Sequence, residues 1–126
     1  MPSKVFKLLG CLPYEEVLKL YSSAWVVIAP SVWEEPLPYV VMESMAMGTI
    51  PIASKVGGIP EIVEGSYAEK MLFTPGNHDK LVEKIEEVLS ISPNFLIDIG
   101  QDLRKHVLKK FNIDVIEYQL LRVFEG

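Results

Sequence analysis

The chain has 126 residues, 49% apolar and 23% charged, with a net charge of −5 and one cysteine. This is the profile of one globular domain able to bury a core. The acidic balance argues against a nucleic-acid surface, and Cys11 alone excludes an intrachain disulfide or a cysteine-based zinc site.

No apolar run approaches the roughly 20 residues that span a bilayer. The opening M-P-S-K-V-F-K lacks the apolar core of a signal peptide. A cytoplasmic protein without a transmembrane segment and without nucleic-acid partners is expected.

In chain order, Val5 to Leu9 reads as a first strand closed by Gly10. Pro13 opens a helix from Tyr14 to Tyr21, with Val17, Leu18 and Leu20 as its apolar face. Trp25 to Ala29 is a continuous apolar run, the pattern of a strand buried on both faces of a parallel sheet, with Trp25 in the core. A helix from about Pro38 to Met47 follows, then a strand from Ile50 to Ala53 and a turn at Gly57–Gly58. Pro60 to Glu64 is a short helical segment, and Lys70 to Phe73 is the fourth strand, ended by T-P-G-N. An amphipathic helix runs from Asp79 to Ser90, with Leu81, Val82, Ile85, Val88 and Leu89 on one side. Helices from Phe95 to Lys110 and Asn112 to Phe124 complete the chain.

Strands alternating with helices predict βαβ units: a Rossmann-like α/β/α domain with a parallel sheet of about four strands. Right-handed crossovers put the loops after Ala29, Ala53 and Phe73 along one edge, where open α/β sheets bind ligands.

Residues 31–48, S-V-W-E-E-P-L-P-Y-V-V-M-E-S-M-A-M-G, carry the chemistry on that edge. Leu37 precedes a proline and is biased away from helical dihedrals, so the helix begins at Pro38 or Tyr39. Gly48 is its C-terminal cap. Amides around Tyr39 to Val41 lack helical partners at the positive end of the dipole, a tip that attracts phosphate. Glu35 sits just before the helix. There it either stabilises positive charge in a bound ligand or interacts with the dipole, worth ~0.3–1 kcal/mol. Glu43 lies about 7–8 Å further along the axis, on the face of Tyr39. Among Val40, Val41 and Met45 it faces either a polar ligand or solvent.

These two glutamates, followed by S-M-A-M-G and P-I-A-S-K-V-G-G-I-P-E-I-V, resemble the group 1 glycosyltransferases (glycosyltransferase family 4). The resemblance runs from near Gly10, through E-V-L-K-L-Y-S-S-A-W-V-V-I-A-P-S, to the helical tail. It implies part of the C-terminal, donor-binding domain of a retaining GT-B enzyme that moves a sugar from a nucleotide sugar to a saccharide or lipid-linked acceptor. Under it, Glu35 serves the donor sugar as a catalytic, electrostatic residue, and Glu43 holds the ribose hydroxyls. Leu37, Pro38, Tyr39 and Val40 form the phosphate-facing turn, and Gly57 and Gly58 match the family's glycine pair. Relatives usually carry glycine where this chain has Pro38, which offers no amide hydrogen.

The acceptor-side domain, and the opening of the donor domain with its basic pair, are expected to lie outside this chain. It would then be inactive alone. A non-catalytic binding or assembly module and a GT-B nucleotide-sugar epimerase are the rival readings.

No metal or other cofactor is expected. Glu34 beside Glu35 has no nearby histidine to complete a metal site. His78 reads as a solvated turn residue, His106 as a surface residue and Cys11 as a small buried one. Trp33 lines either the cleft or a domain interface. Glu61 serves the start of the short helix, and Gly57–Gly58 equally serve a tight turn. The last helix, with Ile113, Val115, Ile116, Tyr118, Leu120, Leu121 and Phe124, carries more apolar surface than it can bury alone. A homodimer through that patch is therefore expected, and a concentration-independent monomer in sedimentation would contradict it.

Overall fold

The computed structural model describes residue 10 and residues 12–30 and 39–111. The predicted first strand, the segment containing Trp33, Glu34, Glu35, Leu37 and Pro38, Cys11 and the predicted last helix lie outside the described residues.

The elements run α1 (Tyr14–Ser23), β1 (Val26–Ala29), α2 (Tyr39–Ala46), β2 (Ile50–Ser54), α3 (Ile59–Val63), a 3-10 helix (Tyr67–Met71), β3 (Leu72–Phe73), α4 (His78–Leu89) and α5 (Pro93–Phe111). Among the described residues the sheet has three parallel strands in the order β1-β2-β3. Val26 pairs with Ile50 and Ala29 with Ala53, while Ala53 and Ser54 pair with Leu72 and Phe73. All three carboxyl ends therefore lie along one edge, as expected. Every residue of β2 is buried. Since neighbouring side chains on a strand point to opposite faces, both faces of the sheet are covered.

Strand β1 is less enclosed than its composition suggested. Its residues are half-buried except Ile28, which is exposed, and Trp25 is 43% exposed rather than in the core. Among the described residues β1 has one strand neighbour, β2, and Trp25 precedes the ladder. The expected strand from Lys70 also shortens. Residues Tyr67–Met71 form the 3-10 helix, begun by Ser66 Oγ accepting from the Ala68 N–H at 3.2 Å. This turn buries Ala68 and Met71, so packing across one helical turn overrides the strand pattern of K-M-L-F. On α1 the core-facing residue is Leu18, with Leu20 exposed. On α4 Val88 is buried, Leu81 and Ile85 are half-buried, and Val82 and Leu89 face outward.

Helix α2 is the hub. It contacts α1, α3, α5, β1 and β2, and sinks Val41, Met45 and Ala46 into the core. Its end is a Schellman cap. Gly48, at φ 77°, donates to the Met45 carbonyl at 3.0 Å, and Thr49 N–H donates to that of Ser44 at 2.9 Å. Ser44 Oγ, fully buried, returns a 2.7 Å bond to the Thr49 carbonyl. Thr49 Oγ1 donates to the Tyr21 carbonyl, pinning α1 to the same corner.

Helix α5 crosses over this cap at Gly100. A Cβ there would lie 3.1 Å from the Gly48 carbonyl carbon and well inside contact of its oxygen. Glycine 48 is thus required by its dihedral, and glycine 100 by space. His106, expected on the surface, is half-buried and bonds the Ile62 carbonyl through Nε2 at 3.0 Å. Lys110 Nζ donates to the Glu61 carbonyl beside it. These contacts draw α5 onto α3, which is why His106 does not project freely. His78, exposed as expected, is the first residue of α4 rather than a turn residue, with Asn77 Oδ1 capping the Lys80 N–H at 3.1 Å.

Candidate functional site

Glu43 is the point to which the carboxyl edge and α2 lead. It is the fifth residue of α2 and is 7% exposed, so the solvent-facing alternative is excluded. Burial raises its pKa above the ordinary carboxylate range, and a hydrogen bond from the Tyr14 hydroxyl pulls in the opposite direction. Burial also raises the Tyr14 phenol, which the bond to Glu43 and its negative charge raise further. Tyr21 is raised by burial and then by the charge on Glu43. A carboxylate buried beside a parallel sheet, with its pKa raised by that burial, makes Glu43 the candidate functional residue.

Tyr14 and Tyr21 were the residues that sequence reasoning treated as the ends of a helix. The available signal was their spacing. Tyr14, Leu18 and Tyr21 stand at i, i+4 and i+7 and so share one face of α1, the face that meets α2.

The first four N–H groups of an α-helix lack intrahelical acceptors, which for α2 are those of Tyr39 to Met42. The backbone of Tyr39 and Val40 is therefore where the phosphate-facing turn was expected, and the Val40 side chain is exposed. Glu35, Leu37 and Pro38 lie outside the described residues, so the structure does not relate them to Glu43.

The Gly57–Gly58 turn follows β2 on the same edge. Val56 N–H bonds the Ser54 carbonyl at 2.9 Å, and Ile59 N–H bonds that of Val56 at 3.2 Å. Gly57 has φ 54°, a left-handed conformation that a side chain would strain. Gly58 caps α3 at φ −84°, and a Cβ on it would meet nothing within 4 Å. The fold alone demands glycine at the first position only. Beside the turn, Ser54 closes β2 with its hydroxyl fully buried and without a hydrogen-bond partner among the described residues, a second polar feature missed from sequence.

Two open cavities lie elsewhere. One of about 520 Å³ runs between Tyr67 and the α5 residues Phe95, Ile99, Leu103 and His106. The other, about 550 Å³, is ringed by Lys55, Lys70 and Lys84 against Glu61, Glu64 and Glu69. Neither includes Glu43. Both are grooves of mixed charge, and among the described residues neither holds a carboxylate as buried as Glu43, so Glu43 is the better candidate. Among the described residues no cluster of three His, Cys, Asp or Glu is placed to hold a metal, and no helix is long and apolar enough to cross a membrane.

Residues 2–106 match the family model described as "Glycosyl transferases group 1". The chain belongs to the group 1 glycosyl transferases. A glycosyltransferase of Methanocaldococcus jannaschii is 34% identical over 93% of the chain and 29% of that protein. An alpha-maltose-1-phosphate synthase of Mycolicibacterium smegmatis is 30% identical over 95% of the chain and 32% of its own length. The sucrose-phosphate synthase structure from Thermosynechococcus elongatus superposes with a TM-score of 0.70 at 31% identity, covering 94% of this chain and 29% of that one. The chain thus spans about a third of the length of these relatives, and the resemblance drawn from the two-glutamate motif and the glycine pair holds.

Proposed function

We propose that the chain is the nucleotide-sugar-binding part of a retaining glycosyltransferase, which moves a hexose from a nucleotide-sugar donor to a saccharide or lipid-linked acceptor held by a further domain. The observation that carries this reading is the buried Glu43 carboxylate on α2, beside the carboxyl edge of a parallel sheet. A carboxylate there is an acceptor for a pair of vicinal hydroxyls, as in the ribose of a nucleotide. One helical turn away, the free amides at the start of α2 suit the diphosphate, with Pro38 contributing no N–H. Glu35 then stands on the donor-sugar side, where its charge favours the positive anomeric centre that develops as the nucleoside diphosphate departs. Gly57 and Gly58 let the backbone after β2 approach the same ligand. No metal is invoked. Relatives named for glycosyl transfer and for sugar-phosphate synthesis support the reaction class.

Calorimetric titration with UDP-, GDP- and ADP-linked hexoses tests the reading. One donor is expected to bind the native chain, and Glu43→Gln to lose that binding by tenfold or more. Undiminished binding by the variant would sink the role given to Glu43.

A further inference from the structure

Glu43 needs a device to hold it. A carboxylate on an eight-residue helix, nearly out of solvent, has no cation among the described groups acting on it. What acts on it comes from α1. Of the titratable groups on the elements packed against α2, those coupled to Glu43 among the described residues are Tyr14 and Tyr21, and only Tyr14 is hydrogen-bonded to it.

The placement of Tyr14 is set at a distance. Leu18, one turn along α1, is buried in the core, and the Tyr21 carbonyl accepts from Thr49 Oγ1 immediately after the cap of α2. Thr49 is itself fixed through its backbone to Ser44, the neighbour of Glu43. The corner that ends α2 thus orients the helix whose first residue reaches back to Glu43. Tyr14 as a residue is 43% exposed and is not among the core residues.

We propose that Tyr14 is a positioning residue of the nucleotide site, its hydroxyl donating to the Glu43 carboxylate so that the remaining acceptor positions are oriented toward two vicinal ribose hydroxyls. This rests on the nucleotide-binding reading of Glu43. The chemistry is consistent: an ionised carboxyl has about four lone-pair sites. Tyr14 takes one, and a diol fills two more. A hydrogen bond to the ionised form also favours that form. Tyr14 therefore keeps Glu43 an acceptor at pH values where burial alone would protonate it.

The test compares the native chain with Tyr14→Phe, Tyr21→Phe and Glu43→Gln, folding being checked by circular dichroism. First, the side-chain carboxyl ¹³C resonance of Glu43 is followed against pH without ligand. Tyr14→Phe is expected to move its midpoint upward by about one pH unit, a tenfold change in protonation equilibrium. Tyr21→Phe, on the same helix face but without the bond, is expected to leave it in place. An unmoved midpoint in Tyr14→Phe would overturn the proposal.

Second, UDP, GDP and ADP are titrated against each protein between pH 5 and 8. Tyr14→Phe should bind the preferred nucleotide several-fold more weakly, with its loss of binding on acidification displaced upward in step with the Glu43 midpoint. A ring that only packs would not move that profile. Native affinity in Tyr14→Phe alongside lost affinity in Glu43→Gln would refute the positioning role and leave the ribose reading intact. Native affinity in Glu43→Gln, or no binding of any nucleotide at millimolar concentration, would refute both.

Discussion

The contact between Gly48 and Gly100 allows a prediction to be worked from geometry. In Gly100→Ala the new Cβ would lie 3.1 Å from the Gly48 carbonyl carbon and 3.4 Å from its Cα, with the carbonyl oxygen nearer still. Each obstructing atom is backbone and belongs to the Schellman cap of α2, so no side chain can rotate away. Opening α5 from α2 strains or loosens packing at a site where both helices are buried. Overpacking of this kind costs about 1–3 kcal/mol, and the rigid obstruction places it near 3. Alanine recovers about 1 kcal/mol of helix propensity over glycine, leaving a net loss of about 2 kcal/mol. For a domain of this size that lowers Tm by roughly 8 °C. Urea unfolding monitored by circular dichroism measures it. Gly58→Ala is the control, since its Cβ meets open space at an ordinary φ, and its Tm should stay within ~2 °C of native. A Gly100→Ala protein as stable as native would refute the close crossing of α2 and α5.

The other predictions concern the site. Glu43→Gln should raise stability at pH 7 while removing nucleotide binding. A carboxyl whose folded pKa is raised contributes stability below its unfolded pKa, and this is lost as pH rises through the folded value. The gain in Tm should therefore shrink on acidification toward pH 4, and a lower Tm for the variant at pH 7 would contradict the buried charge. Ser54→Ala removes a buried hydroxyl that has no partner among the described residues and should be neutral or stabilising by up to ~1 kcal/mol in ligand-free denaturation. A loss above ~1 kcal/mol would mean that the hydroxyl has a partner. Thr49→Val leaves the Tyr21 carbonyl with the Ala24 N–H as its partner, so about 1 kcal/mol should be lost in urea unfolding. If α1 is held through this bond, the Glu43 ¹³C midpoint of this variant should also rise. An unchanged midpoint would detach the Thr49 corner from the placement of Tyr14.

What was legible in the sequence was local. Gly48 ended α2 because glycine takes the left-handed dihedral a cap requires, and the apolar runs at Val26–Ala29 and Ile50–Ala53 gave two parallel strands. The spacing from Glu35 to Glu43, read with the glycine pair, was enough to indicate the family that residues 2–106 match. What was not legible depended on distant chain. Trp25 is exposed because it precedes the ladder of β1, which no apolar run reveals. Lys70 and Met71 turn into a 3-10 helix because Met71 packs inward. His106 bonds a carbonyl 44 residues away. The bond from Tyr14 to Glu43 joins two helices through a strand and a loop, and the i, i+7 spacing with Tyr21 was its only local trace.

The central claim is that the carboxyl edge around Glu43 binds a nucleotide sugar. Protein-detected NMR titration of the native chain with UDP-, GDP- and ADP-linked hexoses addresses it most directly. The account predicts shifts for one nucleotide that cluster at Glu35 to Glu43 and at Gly57 and Gly58, and that weaken in Glu43→Gln. Shifts confined to the cavity between Tyr67 and α5, or none at millimolar ligand, would contradict it.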